Sequence, residues 1–252
     1  MSKSDDTKLT SISKARSLEE IGDFWDTHSL DDYWDQTHEA QFKVKANPHV
    51  IPRRLPHLPP REPTWPAQGK WTYADYEKLP DDGRRYEIIK GVLYATATPT
   101  FDHQYTVTRL LVRLDNFVTE RQLGVVLVAP FEVQLPNVAY PVQPDVLFVA
   151  SERVPQPGAT NLSGAPDLII EVLSPSTART DRLVKFGAYE RAGVREYWLV
   201  DPRTRSVEVY SLSQDGTYEM AGQYTPGDLV ASTLLSDLAL PVDDLFVAGT
   251  LR

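Results

Sequence analysis

Hydrophobic spacing changes character along the chain, and each change predicts an element. In residues 103–122, HQYTVTRLLVRLDNFVTERQ, the positions Val107, Leu110, Leu111, Leu114, Phe117 and Val118 recur at helical spacing, which predicts an amphipathic helix of about five turns. Further on, GVVLVAPFEVQL, QPDVLFVA, PDLIIEVL, EYWLVDP, SVEVYSL and TYEMAGQYT read as strands. Two of these, PDVLFVA and PDLIIEVL, are apolar at successive positions and not at alternate ones, as expected of strands covered on both faces. A helix from about Thr180 to Ala192, stopped by Gly193, separates the third strand from the fourth. Upstream, TYADYEKLP predicts a short helix opened by Thr72, and RRYEIIKGVLYATAT a hairpin turning near Lys90-Gly91. The expectation is an α/β domain.

That domain is preceded by something different. VIPRRLPHLPPREPTWP, residues 50–66, holds six prolines in seventeen residues, which removes the backbone donors and φ freedom that helices and central strands need. Before it, SLEEIGDFWDTHSLDDYWDQ pairs Ser17 with Glu20 as a capping box and aligns Leu18, Ile21, Phe24 and Trp25 on one helical face, with Leu30, Tyr33 and Trp34 in a second short helix. Two such helices are too small to fold securely alone. Their aromatic face is expected to rest on the core, on a second subunit or on a protein partner. The predicted organisation is a short helical segment over 1–49, a proline-rich linker over 50–69, and the α/β domain over 70–252.

Composition narrows the chemistry. The chain has 252 residues and no cysteine, which excludes disulfides, thiolate metal sites and cysteine nucleophiles. The opening residues carry no apolar signal-peptide core, and the longest apolar runs, such as VVLVAPF, are too short to span a bilayer. A cytoplasmic protein without membrane contact is expected. Formal net charge is -9, which argues against tight non-specific nucleic-acid binding unless a local basic patch or a divalent cation offsets it.

Acidic residues beside the two-faced strands carry the strongest chemical signal. Asp145 stands at the start of one strand, and Glu171 interrupts the apolar run of the other. A lone buried carboxylate is costly and needs a counter-charge, hydrogen bonds or a metal. If the strands are neighbours, Asp145 and Glu171 can converge on one cation, and hard oxygen ligands suit Mg²⁺ or Mn²⁺ better than zinc. Asp181 and Lys185, four apart on the following helix, share a face. They form either an exposed salt bridge or a pair that brings the Lys185 ammonium back over Glu171. Glu87 alternates with Tyr86 and Ile88 and reads as an ordinary polar-face residue unless the fold brings it to the other carboxylates. His103 opens the long helix, where it either caps the N-terminus or touches a substrate phosphate. Tyr189 and Trp198 read as packing residues.

RRYEIIKGVLYATATPTFDHQ, YPVQPDVLFVA, PDLIIEVLSPSTARTDRLVKFGAYERAGVREYWLVDP and SVEVYSL, in this order, resemble the Uma2-like family of restriction-endonuclease-like proteins over roughly residues 70–245. The resemblance implies the PD-(D/E)xK nuclease core, a mixed β-sheet flanked by helices, here with a short helical N-terminal appendage. It implies a metal-dependent endonuclease acting on nucleic acid, DNA foremost. By position, Asp145 and Glu171 would hold Mg²⁺ or Mn²⁺, Glu87 would complete the acidic shell, and Lys185 would place water or steady charge. The chain departs from the simplest motif at Leu173, where lysine would stand two residues after Glu171, so Lys185 would supply the displaced amine. The other reading is a non-catalytic nucleic-acid- or protein-binding module on the same fold. SLEEIGDFWDTHSLDDYWDQ also resembles the start of CopG-type antitoxins, which would link the chain to a toxin-antitoxin system. A homodimer would let two sites address two strands.

Overall fold

In the computed structural model, residues 65–96 and 98–247 are described; they lie within one unit spanning Pro63–Arg252. The segment carrying Phe24, Trp25, Tyr33 and Trp34, and the linker up to residue 64, lie outside the described residues.

Thr72 opens α1 (Tyr73–Tyr76), with the Asp75 carboxylate accepting from its backbone N–H at 3.1 Å. Strands β1 (Arg85–Ile89) and β2 (Val92–Thr96) form the expected hairpin. Lys90 and Gly91 both take positive φ, 52° and 72°, as a two-residue turn matched to strand twist requires. Gly91 has a second constraint, since a Cβ there would lie 2.5 Å from the Gly69 carbonyl oxygen. Helix α2 (Phe101–Glu120) begins two residues earlier than its apolar spacing suggests, because Thr100 caps it by accepting the His103 N–H at 3.3 Å. Leu110, Leu114 and Val118 form its buried stripe.

The run GVVLVAPFEVQL is not one strand. It breaks into β3 (Gly124–Val128) and β4 (Glu132–Leu135), since Pro130 has no N–H to give a ladder. Then follow β5 (Ala139–Val142), β6 (Val146–Ala150), β7 (Asn161–Ser163) and β8 (Leu168–Val172). A π-helical segment (Thr180–Lys185) runs into α3 (Phe186–Ala192), which Gly193 ends at φ 80°. Five strands follow among the described residues: β9 (Glu196–Asp201), β10 (Ser206–Leu212), β11 (Tyr218–Tyr224), β12 (Leu229–Ala231) and β13 (Ala239–Pro241).

The larger sheet has the order β11-β10-β9-β8-β6-β3, and a second has the order β2-β1-β5-β4-β7, with β12-β13 a separate pair. Both large sheets are mixed, because β8 pairs parallel with β9 and β4 parallel with β7 while their other pairings are antiparallel. Side chains alternate across the central strands. Val146, Phe148, Leu168, Ile170 and Val172 enter a core shared with α2. Leu147, Val149, Ile169 and Leu173 enter a second core shared with α3 and with β4 and β5. Both faces are therefore covered, as the two-faced apolar pattern predicted. Asp145 and Glu171 have the parity of Leu147 and Ile169, so the alternation directs them to the second core.

Candidate active site

Strands β6 and β8 are antiparallel neighbours with Val146 opposite Ile170. One more residue of that register sets Asp145 across from Glu171. The Val172 N–H donates to Asp145 Oδ2 at 2.9 Å, fixing the carboxylate at the strand edge. Glu87 comes from β1 of the other sheet and is buried, not on a polar face. It is tied to the stretch before β6, where the Gln143 N–H donates to Glu87 Oε1 at 2.7 Å.

Lys185 unites the three elements. Its Nζ lies 2.9 Å from Glu87 Oε2, 3.1 Å from Glu171 Oε1 and 3.6 Å from Asp181 Oδ1. Asp181 and Lys185 are 2% and 6% exposed, so the pair is not the exposed salt bridge that four-residue spacing also allows. The π-helical winding of this segment, a feature frequent at functional sites, sets both side chains toward the sheet. The helix is held there by Arg182, whose guanidinium makes two 2.8 Å hydrogen bonds to Glu208, and by Phe186, which meets Tyr210 edge-on at 5.0 Å.

Three further side chains complete the site. His103 is no simple N-terminal residue, since its Nε2 lies 3.1 Å from Asp145 Oδ2. Tyr189, which packs on Tyr197, donates its hydroxyl to Glu171 Oε1 at 2.7 Å. Arg85 reaches to 3.7 Å from Asp145 Oδ1. Sequence spacing alone carried no signal for Tyr189 or Arg85, because both depend on pairing across elements. Trp198 stays a packing residue, its indole N–H donating to Glu196 and not to the site. Glu87, His103, Asp145, Glu171, Asp181 and Lys185 together line a pocket of about 150 Å³.

The electrostatics divide the carboxylates. Burial pushes the Asp145 carboxyl upward, but the His103 hydrogen bond and charge, Lys185 and the Val172 N–H outweigh it and hold it below the ordinary aspartate value. Burial also raises Glu171; Lys185 opposes the rise, but the charges of Asp145, Asp181 and Glu87 add to it, leaving the carboxyl well above its ordinary range. Asp181 is raised in the same way. Burial would lower Lys185, yet the surrounding carboxylates raise it well above the usual lysine value. The ammonium therefore stays charged at neutral pH and cannot act as a base.

Could the site hold a divalent cation? Four buried carboxylates face one buried ammonium, one arginine at the rim and one histidine, so negative charge is in surplus. Burial and that surplus raise the Glu171 carboxyl well above its ordinary value, a rise that a bound cation would oppose. Its Oε1 is taken by Lys185 and Tyr189, whereas Oε2 makes no hydrogen bond among the described residues. Among the described residues no three Asp, Glu or His side chains are arranged around a common ion, and Glu87 gives both oxygens to Gln143 and Lys185. Two carboxylates, Asp145 and Glu171, with water and substrate oxygens for the rest, fit the habit of Mg²⁺.

Comparison with known proteins places this arrangement. A structure titled "Crystal structure of a putative nuclease belonging to DUF820", from Anabaena variabilis, superposes with a TM-score of 0.60 at 24% identity, covering 69% of this chain and 97% of that one. This likeness establishes the fold as restriction-endonuclease-like. A protein of Synechocystis sp., "Uncharacterized protein slr1290", is 26% identical over 137 residues, 53% of this chain and 70% of its own length. The Uma2 family, described as "Putative restriction endonuclease", matches residues 73–243. That span holds every side chain of the pocket, and by it the chain belongs to the Uma2 family.

Proposed function

We propose that this protein is a Mg²⁺- or Mn²⁺-dependent endonuclease that hydrolyses phosphodiester bonds of nucleic acid. The observation that carries the reading is the meeting of two buried strand-edge carboxylates, Asp145 and Glu171, with the buried Lys185 ammonium in one pocket. A bound Mg²⁺ or Mn²⁺ would polarise the scissile phosphate and lower the pKa of an attacking water. Asp145 and Glu171 would hold it. His103 and the Val172 N–H keep Asp145 ionised and oriented, and Tyr189 fixes Glu171. Lys185 serves as a permanent positive charge for the negative charge that grows on the phosphoryl oxygens. Glu87 and Asp181 aim it, which makes them positioning residues. Arg85, at the rim, is placed to receive a non-bridging phosphate oxygen.

The test is cleavage of labelled single- and double-stranded DNA and RNA by the full chain with Mg²⁺ or Mn²⁺, alongside calorimetric Mn²⁺ titration. Asp145→Asn and Glu171→Gln should each abolish both Mn²⁺ binding and cutting. Mn²⁺ binding that survives both substitutions removes the site. One observation favours a second reading, a nucleic-acid-binding module without catalysis: Lys185 bridges Glu87 and Glu171 and so neutralises part of the carboxylate charge a cation would need. Carboxylate-dependent Mn²⁺ binding with tight nucleic-acid binding and no cleavage of any of the four substrates would favour it.

A further inference from the structure

A second cavity opens beside the active-site pocket. It is a cleft of about 570 Å³, and it shares Arg85, Ala95 and Thr96 with that pocket. Its lining is unlike the rest of this acidic chain. Arg84, Arg85, Thr96, Thr98 and Gln104 present cationic and neutral hydrogen-bonding groups, and among the described residues no carboxylate lines it. Arg84 is two-thirds exposed and pairs with the surface residue Asp82 at 3.7 Å. Arg85 points the other way along the same wall, to 3.7 Å from Asp145. Two guanidinium groups on successive residues thus lead from solvent to the proposed scissile position.

The helix beside the cleft adds a different chemistry. Gln104 lines the cleft, and Phe101, three residues earlier on α2 and so on the same face, is 69% exposed. Its ring lies 6.0 Å from that of Tyr105. A bare phenylalanine beside a basic, hydroxyl-lined cleft is the combination that holds unpaired nucleotides, phosphates on arginine and a base on an aromatic face. A base can offer its face to a side chain only when it is unstacked. The cleft volume falls within the size of small-molecule pockets, roughly 300–1,000 Å³, which suits one or two splayed nucleotides and no base-paired helix.

We infer that this cleft binds the nucleotides flanking the scissile phosphate of a single-stranded nucleic acid, with Arg84 and Arg85 on the backbone and Phe101 stacked on a base. The inference rests on the nuclease reading for the direction of the strand, but its test does not need cleavage. Fluorescence anisotropy of the full chain with a labelled 12-nucleotide DNA, its RNA counterpart and the matching duplex, all in EDTA, reads binding alone. The single strands should bind more tightly than the duplex. Phe101→Ala should weaken single-strand binding by about 5- to 150-fold, following the stacking contribution of one base. Arg84→Ala should lower the slope of log affinity against log salt by about 0.7, the value for one phosphate on a single strand. Both side chains are exposed, so both variants should melt with the wild type.

Equal affinity for duplex and single strand, no binding to either, or variants that bind as the wild type does would each overturn the inference. A protein that binds single strands through Phe101 yet cuts nothing loses the nuclease reading and keeps this one. A protein whose cleavage and binding ignore Phe101 and Arg84 does the reverse. A difference between the DNA and RNA arms identifies the sugar, which the cleft chemistry does not distinguish.

Discussion

Lys185→Met removes one charge from the centre of the site and leaves a side chain of similar length. The ammonium sits within 3.6 Å of Glu87, Glu171 and Asp181, and all four side chains are almost fully buried. Breaking a buried ion pair by removing one partner typically costs about 3–5 kcal/mol. Here protonation sets a ceiling. A carboxylate that loses its counter-charge can take up a proton, and for a glutamate of ordinary pKa 4.5 doing so at pH 7 costs about 3.4 kcal/mol, at about 1.36 kcal/mol per pH unit. Burial and the neighbouring carboxylates already raise Glu171 well above its ordinary value, so this carboxyl takes up a proton at less than that cost. Relief of the buried ammonium's own desolvation offsets part of it. The expected loss is about 2–3 kcal/mol at pH 7, or roughly 4–12 °C in Tm for a domain of this size.

The same argument fixes a pH dependence. At pH 5 the protonation ceiling falls to about 0.7 kcal/mol, so the loss should nearly vanish. Thermal melts of wild type and Lys185→Met in EDTA at pH 5, 6 and 7 read it directly. Mn²⁺ should then recover more stability in the variant than in the wild type, because the cation meets a cage with one more unbalanced charge. Cleavage should fall by about 10²- to 10³-fold, as when one preorganised charge-stabilising group is removed. A variant as stable as wild type at pH 7 would show that the ammonium does not hold the carboxylates. An equal loss at pH 5 and pH 7 would mean that the lysine acts through packing and not through charge.

Glu171→Gln tests the surplus of negative charge from the other side. A carboxyl raised in the folded state makes the fold bind more protons than the unfolded chain above pH 4.5, so its contribution to stability falls as pH rises from there toward the raised value; in EDTA at pH 7 the variant should melt above wild type, the advantage shrinking toward pH 5, and a lower melting point at pH 7 would contradict it. His103→Phe removes the hydrogen bond that helps hold Asp145 low, so the acid limb of Mn²⁺ binding should move to higher pH, as read by calorimetry at a series of pH values. Glu196→Gln probes the core away from the site: its carboxylate accepts from Trp198 Nε1, Ser232 Oγ, Thr233 N and Oγ1, and Leu234 N at 2.5–3.0 Å. Replacing one oxygen by an amide should cost about 3 kcal/mol in chemical denaturation, since hydrogen bonds to a charged acceptor contribute about 1.5–3 kcal/mol each, with Mn²⁺ affinity unchanged.

What could be read from the sequence follows from what is local. The two-faced apolar strands and their intruding acids singled out Asp145 and Glu171, because strand covering is written in successive residues; the register that sets the two acids across from each other comes from pairing between strands. The four-residue spacing gave Asp181 and Lys185 as a pair but not their burial, which depends on β1 and β8 closing over them. Glu87 looked like a surface residue because alternation within β1 cannot reveal that the opposite face of a hairpin meets another sheet. Tyr189 was read as packing, and it does pack; its hydroxyl is what joins Glu171. Strand β5 escaped notice because four residues containing Pro141 show neither alternation nor an apolar run, and the division of β3 from β4 turned on one proline inside an otherwise continuous pattern.

The displaced lysine is explained by the same alternation. Leu173 has the parity of Glu171 and belongs to the core under α3, at 2% exposure. A lysine there would have to leave that core to reach the carboxylates, and its place would be filled by no other side chain on the strand. Carrying the amine on the π-helical segment lets Leu173 pack against α3 while Lys185 approaches Glu171 from across the pocket. It also ties the amine to Asp181, which a strand-borne lysine would not have as a four-residue neighbour, and to the Arg182–Glu208 and Phe186–Tyr210 contacts that hold the helix on β10. The position of the charge then depends on how the helix seats against the sheet. Substitutions at Glu208 or Tyr210, neither of which lines the pocket, should therefore disturb the ammonium without altering the two carboxylates, and separate charge placement from the proposed ion binding in a way that changes within the pocket cannot.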